Sequence, residues 1–297
     1  MGISMYNIKR WVKMLMGNSI YHVTQDIGKI VDKGGYYNDL TQKVLLGEKN
    51  LDRQGIPFLE HCDGKHIKMP TMIFQYGLGA FDLYLLEEKK EYLDKVVICA
   101  NWAVDNQEEK GSWNNFFYIY PDNPYSAMSQ GEGASLLLRA YAETKDIRYF
   151  NAAKKAIDFM LIDVSCGGVS ERRENELYLL EYTHLPLVLN GWIFALWGIY
   201  DLSLVLPEYK KEFDKTVNTL ARQLLLFDNG YWSLYDVSGM MTSPFYHKLH
   251  IAQLKAMYQI TNIDIFKEMS LKFEKYESKK INRIRAFCVK GIQKILE

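Results

Sequence analysis

PLVLNGWIFALWGIYDLSLVLPEYKKEFDKTVNTLARQLLLF, residues 186–227, holds two helical stretches of opposite character. The first, 186–206, is apolar around most of its circumference. The second, 207–227, opens on a proline and carries Lys, Glu and Asp along one side. A helix apolar all round belongs in an interior, and an amphipathic one lies at a surface with one face inward. Together they predict a helical hairpin with an inner and an outer arm.

The same pairing recurs on both sides of this stretch. Residues 74–88 are followed by 91–106, 126–144 by 146–162, and 246–261 by 263–278, each time inner then outer. Gly77 to Gly131 is 54 residues, Gly131 to Gly191 is 60, and Gly191 to Ile251 is 60, which reads as an internal repeat. The expected fold is mainly α: an α/α toroid over 70–297, an incomplete barrel of about four helical hairpins. Residues 1–69 carry short alternating stretches and turn residues. They are expected to form a helix near 5–16 and an extended, β-containing arm packed on the toroid. Asn229-Gly230 between apolar runs signals an inserted β-hairpin, with Tyr231, Ser233, Tyr235 and Val237 on one face of its second strand.

Of the 297 residues 48% are apolar, which supports a large core and argues against disorder. The 36 basic residues balance 36 acidic ones, so no global basic field for nucleic acid exists. No stretch approaches the ~20 apolar residues of a membrane span. The basic N-terminus lacks the long apolar run of a signal peptide, and a cytoplasmic location is expected. Cys62, Cys99, Cys166 and Cys288 share no C-x-x-C spacing and read as reduced, mostly buried thiols. Aromatic residues reach 14%, with 21 tyrosines and six tryptophans. Such content fits an aromatic core and equally fits rings that stack on sugar faces.

The inner helices begin with Gln75-Tyr76-Gly77, Gln130-Gly131, Asn190-Gly191 and His250-Ile251. If rotation relates the hairpins, these polar groups converge at one end of the lumen. Any one of them alone also serves as a local cap. SPFYHKLHIAQL (243–254) brings Tyr246, His247, His250 and Gln253 into the start of a buried helix. LLEYTHLPLVLNGW (179–192) places Glu181, Tyr182 and His184 just before another. One cavity mouth thereby gathers a carboxylate, several phenols and imidazoles. A phenol and a carboxylate on opposite faces of a substrate can remove a proton from one face and return one to the other, as an epimerase requires. The same groups suit a lyase or, with a second carboxylate, a glycosidase. A non-catalytic glycan-binding module stays open as well. The lone H-x-x-H at 247–250 and the His61, Cys62, His66 cluster lack the context of a metal site, so neither metal nor cofactor is expected. GEGASL and GLGAFD do not complete G-x-G-x-x-G after a strand, and their glycines read as close helix packing.

PYSAMSQGEGASLLLRAYAETKD, LEYTHLPLVLNGWIFALWGIYDL and YHKLHIAQL closely resemble the C-terminal domain of D-glucuronyl C5-epimerases. The resemblance runs from about residue 70 to about residue 278. It implies an α/α toroid and an isomerase of polysaccharide biosynthesis. That enzyme would convert glucuronate to iduronate within heparan- or heparosan-type chains, without a cofactor. It implies Glu181 and Tyr246 as the paired acid and base, with Tyr182 and Tyr235 orienting or hydrogen-bonding. Negative charge that builds on the carboxylate beside C5 must be met by donors or cations. Gln75, Gln130, Asn190, His247, His250 and Arg139 are the substrate-binding candidates. The family's pattern has an arginine where Ser238 stands here. The expected partners are an acidic polysaccharide or oligosaccharide and a second copy of the chain, with no nucleic acid and no membrane span. The amphipathic tail 279–297 is a candidate dimer contact, or packs on its own toroid.

Overall fold

The computed structural model describes residues 25–47, 50–60 and 64–296; the expected helix near 5–16, with His61 and Cys62, lies outside the described residues. The arm contains a 3-10 turn (Val31–Lys33), a short helix α1 (Thr41–Leu45) and a two-residue antiparallel ladder, β1 (Leu59–Glu60) with β2 (His66–Ile67). Helices α2 (Pro70–Glu87), α3 (Lys90–Asp105), α4 (Ala127–Thr144) and α5 (Ile147–Met160) follow. A hairpin, β3 (Ser170–Arg173) and β4 (Glu176–Leu179), leads to α6 (Leu189–Ser203) and α7 (Lys210–Gln223). The chain then runs through α8 (Pro244–Thr261), α9 (Asp264–Ser278) and α10 (Lys280–Leu296).

The fold is mainly helical, and the inner–outer pairing is visible in burial. Helix α6 buries every residue from Leu189 to Ile199, whereas α7 buries chiefly Phe213, Thr216, Val217 and Leu220, one stripe. The other outer helices show equally narrow stripes, such as Tyr92, Val96, Cys99 and Ala103 on α3. Each outer helix packs on its inner partner. The inner helices stand in a row, α2 on α4, α4 on α6 and α6 on α8. A Cβ at Gly131 would lie 2.5 Å from Ala195 Cα, and one at Gly198 would lie 2.4 Å from Gly131 Cα. Helices α4 and α6 therefore touch backbone to backbone, and any side chain at either glycine would prise them apart.

The structure reveals a second repeat register at the far ends of the inner helices. The carbonyls of Tyr84, Tyr141, Tyr200 and Tyr258 accept the closing N–H bonds of α2, α4, α6 and α8 from Glu88, Lys145, Leu204 and Asn262. Three of those closing residues, Glu88, Lys145 and Asn262, are left-handed, with φ of 54°, 60° and 54°. Such a residue ends a helix by turning its N–H back onto the last turn.

The arm is clamped through buried polar groups. Arg139 of α4 donates to Asp201 Oδ2 of α6 at 2.6 Å and to the carbonyls of Gly34 and Gly35 at 3.1 Å each. Tyr37 donates its hydroxyl to Asp201 Oδ1 (2.5 Å), and Asp82 Oδ1 of α2 accepts the Tyr36 N–H (2.8 Å). Both tyrosine rings lie against Trp197, with centroids 5.6 and 5.1 Å away.

Two local expectations change. The hairpin expected at Asn229-Gly230 forms no strand, only isolated bridges Asp228–Ser233 and Leu234–Met241, with Asp236 bridging to Val188. Asp228 and Asn229 side chains accept the N–H groups of Gly230, Tyr231 and Trp232, donors that a ladder would have used. Trp232 and Ser233 are both buried and Val237 is exposed, so the alternation along Tyr231, Ser233, Tyr235 and Val237 is lost. The regular hairpin is β3–β4, which turns at Glu174 in the left-handed region (φ 48°) without an Asn-Gly signal. Among the described cysteines only Cys99 is buried. Cys166 sits in a surface 3-10 turn and Cys288 on the outside of α10, both exposed.

Candidate active site

The segment after β4 is tied at its base. Leu180 donates to Val169 O and accepts from Ala127 N, the first residue of α4, both at 2.9 Å. Glu181 follows and turns onto α6, where it packs against Gly191. The segment around Tyr235 is tied to the same helix start, since Leu189 donates to Tyr235 O and Val237 donates to Leu187 O. Tyr246 stands in the first turn of α8, where Ser243 caps the helix by accepting the Tyr246 N–H. These anchors place Glu181, Tyr182, Tyr235 and Tyr246 together. The Tyr235 and Tyr246 rings meet edge to face with centroids 5.3 Å apart. Tyr182 stacks on Phe116 at 4.7 Å and meets Tyr120 edge-on, and Tyr120 in turn meets the exposed His184.

Burial pushes the Glu181 carboxyl up to about 7, against the opposing pull of hydrogen bonds from Tyr182 and Tyr235. Burial first, and then the Glu181 charge, push both phenols well above their usual range. At neutral pH the two phenols therefore keep their protons and donate, while Glu181 readily gains or loses its own.

A second carboxyl, missed in the sequence, lies close by. Glu132 on α4 is fully buried, accepts from Gln75 Nε2 at 2.7 Å, and is pushed up to about 8 by burial. The Glu181 charge raises it further, while Lys43 of α1 opposes. Burial in turn pushes the Lys43 ammonium down to about 8. The available signal was an acid in the buried first half of an inner helix whose other acid, Glu143, lies at its exposed end. Phe116 and Tyr120, also missed, belong to the aromatic run FFYIY at 116–120.

The remaining candidates divide into groups. Gln75 holds Glu132. Gln130 donates its amide to Gly111 O and accepts from Trp113 N, both at 3.1 Å, and so fastens the Trp-rich loop. His247 stacks on Trp232 at 3.7 Å, with Nδ1 on Ser233 Oγ (2.7 Å) and Nε2 on Phe273 O (3.1 Å). His250 Nδ1 also contacts Ser233 Oγ, at 3.1 Å. Burial pushes both imidazoles down to about 3, so both are neutral. Asn190 O accepts from Gln253 Nε2 at 3.2 Å. Among the described residues, Glu181 Oε2, Asn190 Oδ1, His250 Nε2 and Gln253 Oε1 are buried without a hydrogen-bond partner. Arg139 lies about two and a half turns further along α4 than Gln130, engaged by Asp201 and the arm. Ser238 donates to Asp236 Oδ1 at 2.6 Å and holds its own turn. Among the described residues no group of three or more His, Cys, Asp or Glu is arranged to hold a metal ion. No described helix is long and apolar enough to cross a membrane.

Comparison with known proteins bears on this cluster. The model of the family described as D-glucuronyl C5-epimerase C-terminus matches residues 102–275, more than half of the chain. A D-glucuronyl C5-epimerase of Caenorhabditis elegans is 28% identical over 202 residues, covering 58% of this chain and 33% of that protein. An uncharacterised protein of Methanocaldococcus jannaschii is 33% identical over 152 residues, covering 47% of this chain and 48% of its own. The matches thus span between a third and a half of the length of these relatives.

Proposed function

The chain belongs to the D-glucuronyl C5-epimerase C-terminus family, and on that premise we propose that it inverts C5 of a uronic acid residue in an acidic polysaccharide. The change would be of the glucuronate-to-iduronate type, with heparosan-type chains as the first substrate to try. The observation that carries this reading is the clustering of a buried carboxyl, Glu181, seated on Gly191, with Tyr182 and the edge-to-face pair Tyr235 and Tyr246.

The hydrogen on C5 sits beside the sugar's carboxylate. A base on one face breaks the C5–H bond and takes the proton, and the electron pair moves into the adjoining carboxyl group. An acid on the opposite face then delivers a proton to C5, forming the new C5–H bond with inverted configuration. One proton leaves and one enters, so no oxidant or co-reactant is needed. In this reading Glu181 and Tyr246 are the pair and exchange roles for the reverse reaction. Tyr182 and Tyr235 hold Glu181 and donate to the charge that develops. Asn190, His250 and Gln253 offer their unpartnered polar atoms to the sugar. His247, Gln75 and Gln130 support the walls.

Incubation with non-sulfated glucuronate polymer in D₂O, followed by NMR, tests the reading. Deuterium at C5 with iduronate signals is expected, both abolished by Tyr246→Phe. Deuterium-free, unchanged polymer across a panel of uronate polysaccharides would sink it.

A further inference from the structure

Helix α10 lies beyond the residues matched by the family model. Its inward face runs along the irregular segment 228–241. Ala286 is fully buried against Trp232 and Met241. Seven residues on, Gln293 accepts from Met241 N at 2.8 Å and donates to Gly239 O at 3.0 Å. Arg285 lies over the Tyr231 ring at 3.9 Å. Residues four and seven apart share one helix face, so Lys290 stands on the face that Ala286 and Gln293 dock. Its Nζ lies 5.8 Å from the centroid of the Tyr235 ring.

The cations and imidazoles on the inner helices and the arm have partners of their own. Arg139 is held by Asp201 and the arm carbonyls, and Lys43 faces Glu132. The imidazoles of His247 and His250 are neutral. Proton removal from C5 puts a second negative charge on a group already anionic. A fixed positive charge beside that group stabilises the transition state more than the ground state.

We propose that Lys290, carried to Tyr235 by the docked C-terminal helix, binds the carboxylate of the uronate whose C5 is inverted. The inference rests on the epimerase reading. It adds that α10 completes the site and selects sugars that carry a carboxylate.

Wild type, Lys290→Ala and Lys290→Arg would be compared on a glucuronate polysaccharide and on its carboxyl-reduced counterpart, with glucose in place of glucuronate. Titration calorimetry would read binding, and C5 deuterium exchange would read kcat and KM. The wild type is expected to bind the carboxylate form more tightly. Lys290→Ala should lose that preference and about 10²-fold in kcat/KM, with an unchanged melting temperature. Lys290→Arg should recover part of both. A full preference and rate in Lys290→Ala would overturn the proposal, as would a wild type with no preference for the carboxylate form. A wild type that prefers the carboxylate form yet exchanges no C5 proton would overturn the epimerase reading alone. Lys290 would then still stand or fall by binding.

Discussion

Glu181 rests on the bare backbone of Gly191. A Cβ at residue 191 would stand 2.1 Å from Glu181 Oε2, 2.6 Å from its Cβ and 2.8 Å from its Cδ. The carboxyl of one segment thus occupies the space that a side chain on α6 would need, and the glycine sets where that carboxyl sits.

Gly191→Ala should therefore act on catalysis before it acts on the fold. Overpacking costs about 1–3 kcal/mol, whereas a displaced acid–base group costs about 10²-fold in rate. C5 exchange and urea unfolding, measured together, separate the two. An unchanged rate would show that Gly191 does not position Glu181.

The pH profile follows from the shift on Glu181. Both directions of an inversion need one proton shared by Glu181 and Tyr246, and the equilibrium constant fixes their ratio. Forward and reverse kcat/KM must then vary with pH in the same way. Each should rise about tenfold per unit below the Glu181 value of about 7 and level off above it. Initial rates from each epimer between pH 5 and 9 check this, and a profile flat through 7 would remove Glu181 from the pair.

Arg139 and Asp201 should matter through stability. Their side chains are 9% and 8% exposed. Arg139→Met leaves a buried unpaired carboxylate and should cost about 3–5 kcal/mol. The double variant Arg139→Met/Asp201→Leu should cost less than the two single changes together. Urea unfolding measures both. The exchange rate per folded molecule should stay within about threefold of wild type, and a large loss would return Arg139 to the substrate.

Glu132 makes stability depend on pH in a defined direction. Its carboxyl is raised from 4.5 to about 8, so the folded state favours the protonated form. Its contribution is full below the unfolded value and is lost as pH rises through about 8. Wild type should melt lower at pH 9 than at pH 6. Glu132→Gln, which keeps the shape of the protonated form, should flatten that slope, as differential scanning calorimetry would read.

The helices were legible because inner and outer arms differ in kind. An all-round apolar stretch and a one-sided one announce their layers, and Pro207 and Pro244 mark helix starts. Glu181, Tyr182, Tyr235 and Tyr246 were named from the resemblance to a family, with Tyr235 on an expected strand and Tyr246 at a helix start, and the structure places them side by side. The roles of Gln130 and His247 were not legible, because their partners (Gly111, Trp113, Phe273) lie on other elements. Glu132 escaped notice because periodicity cannot orient an acid where a helix is buried on every side, as α4 is around Glu132. The 228–241 segment was misjudged because its Asx side chains capture the donors that Asn-Gly usually leaves for a ladder.

Glu88, Lys145 and Asn262 close three inner helices in a conformation that L-residues adopt at a cost of about 1–2 kcal/mol and glycine adopts freely. They lie at the C-terminal ends of those helices, while Glu181 and Tyr246 gather at the opposite ends. The array therefore carries a reserve for thermostabilisation. Glycine at each cap would raise the melting temperature of the protein while leaving the Glu181–Tyr246 end, and every contact of that end, as it is.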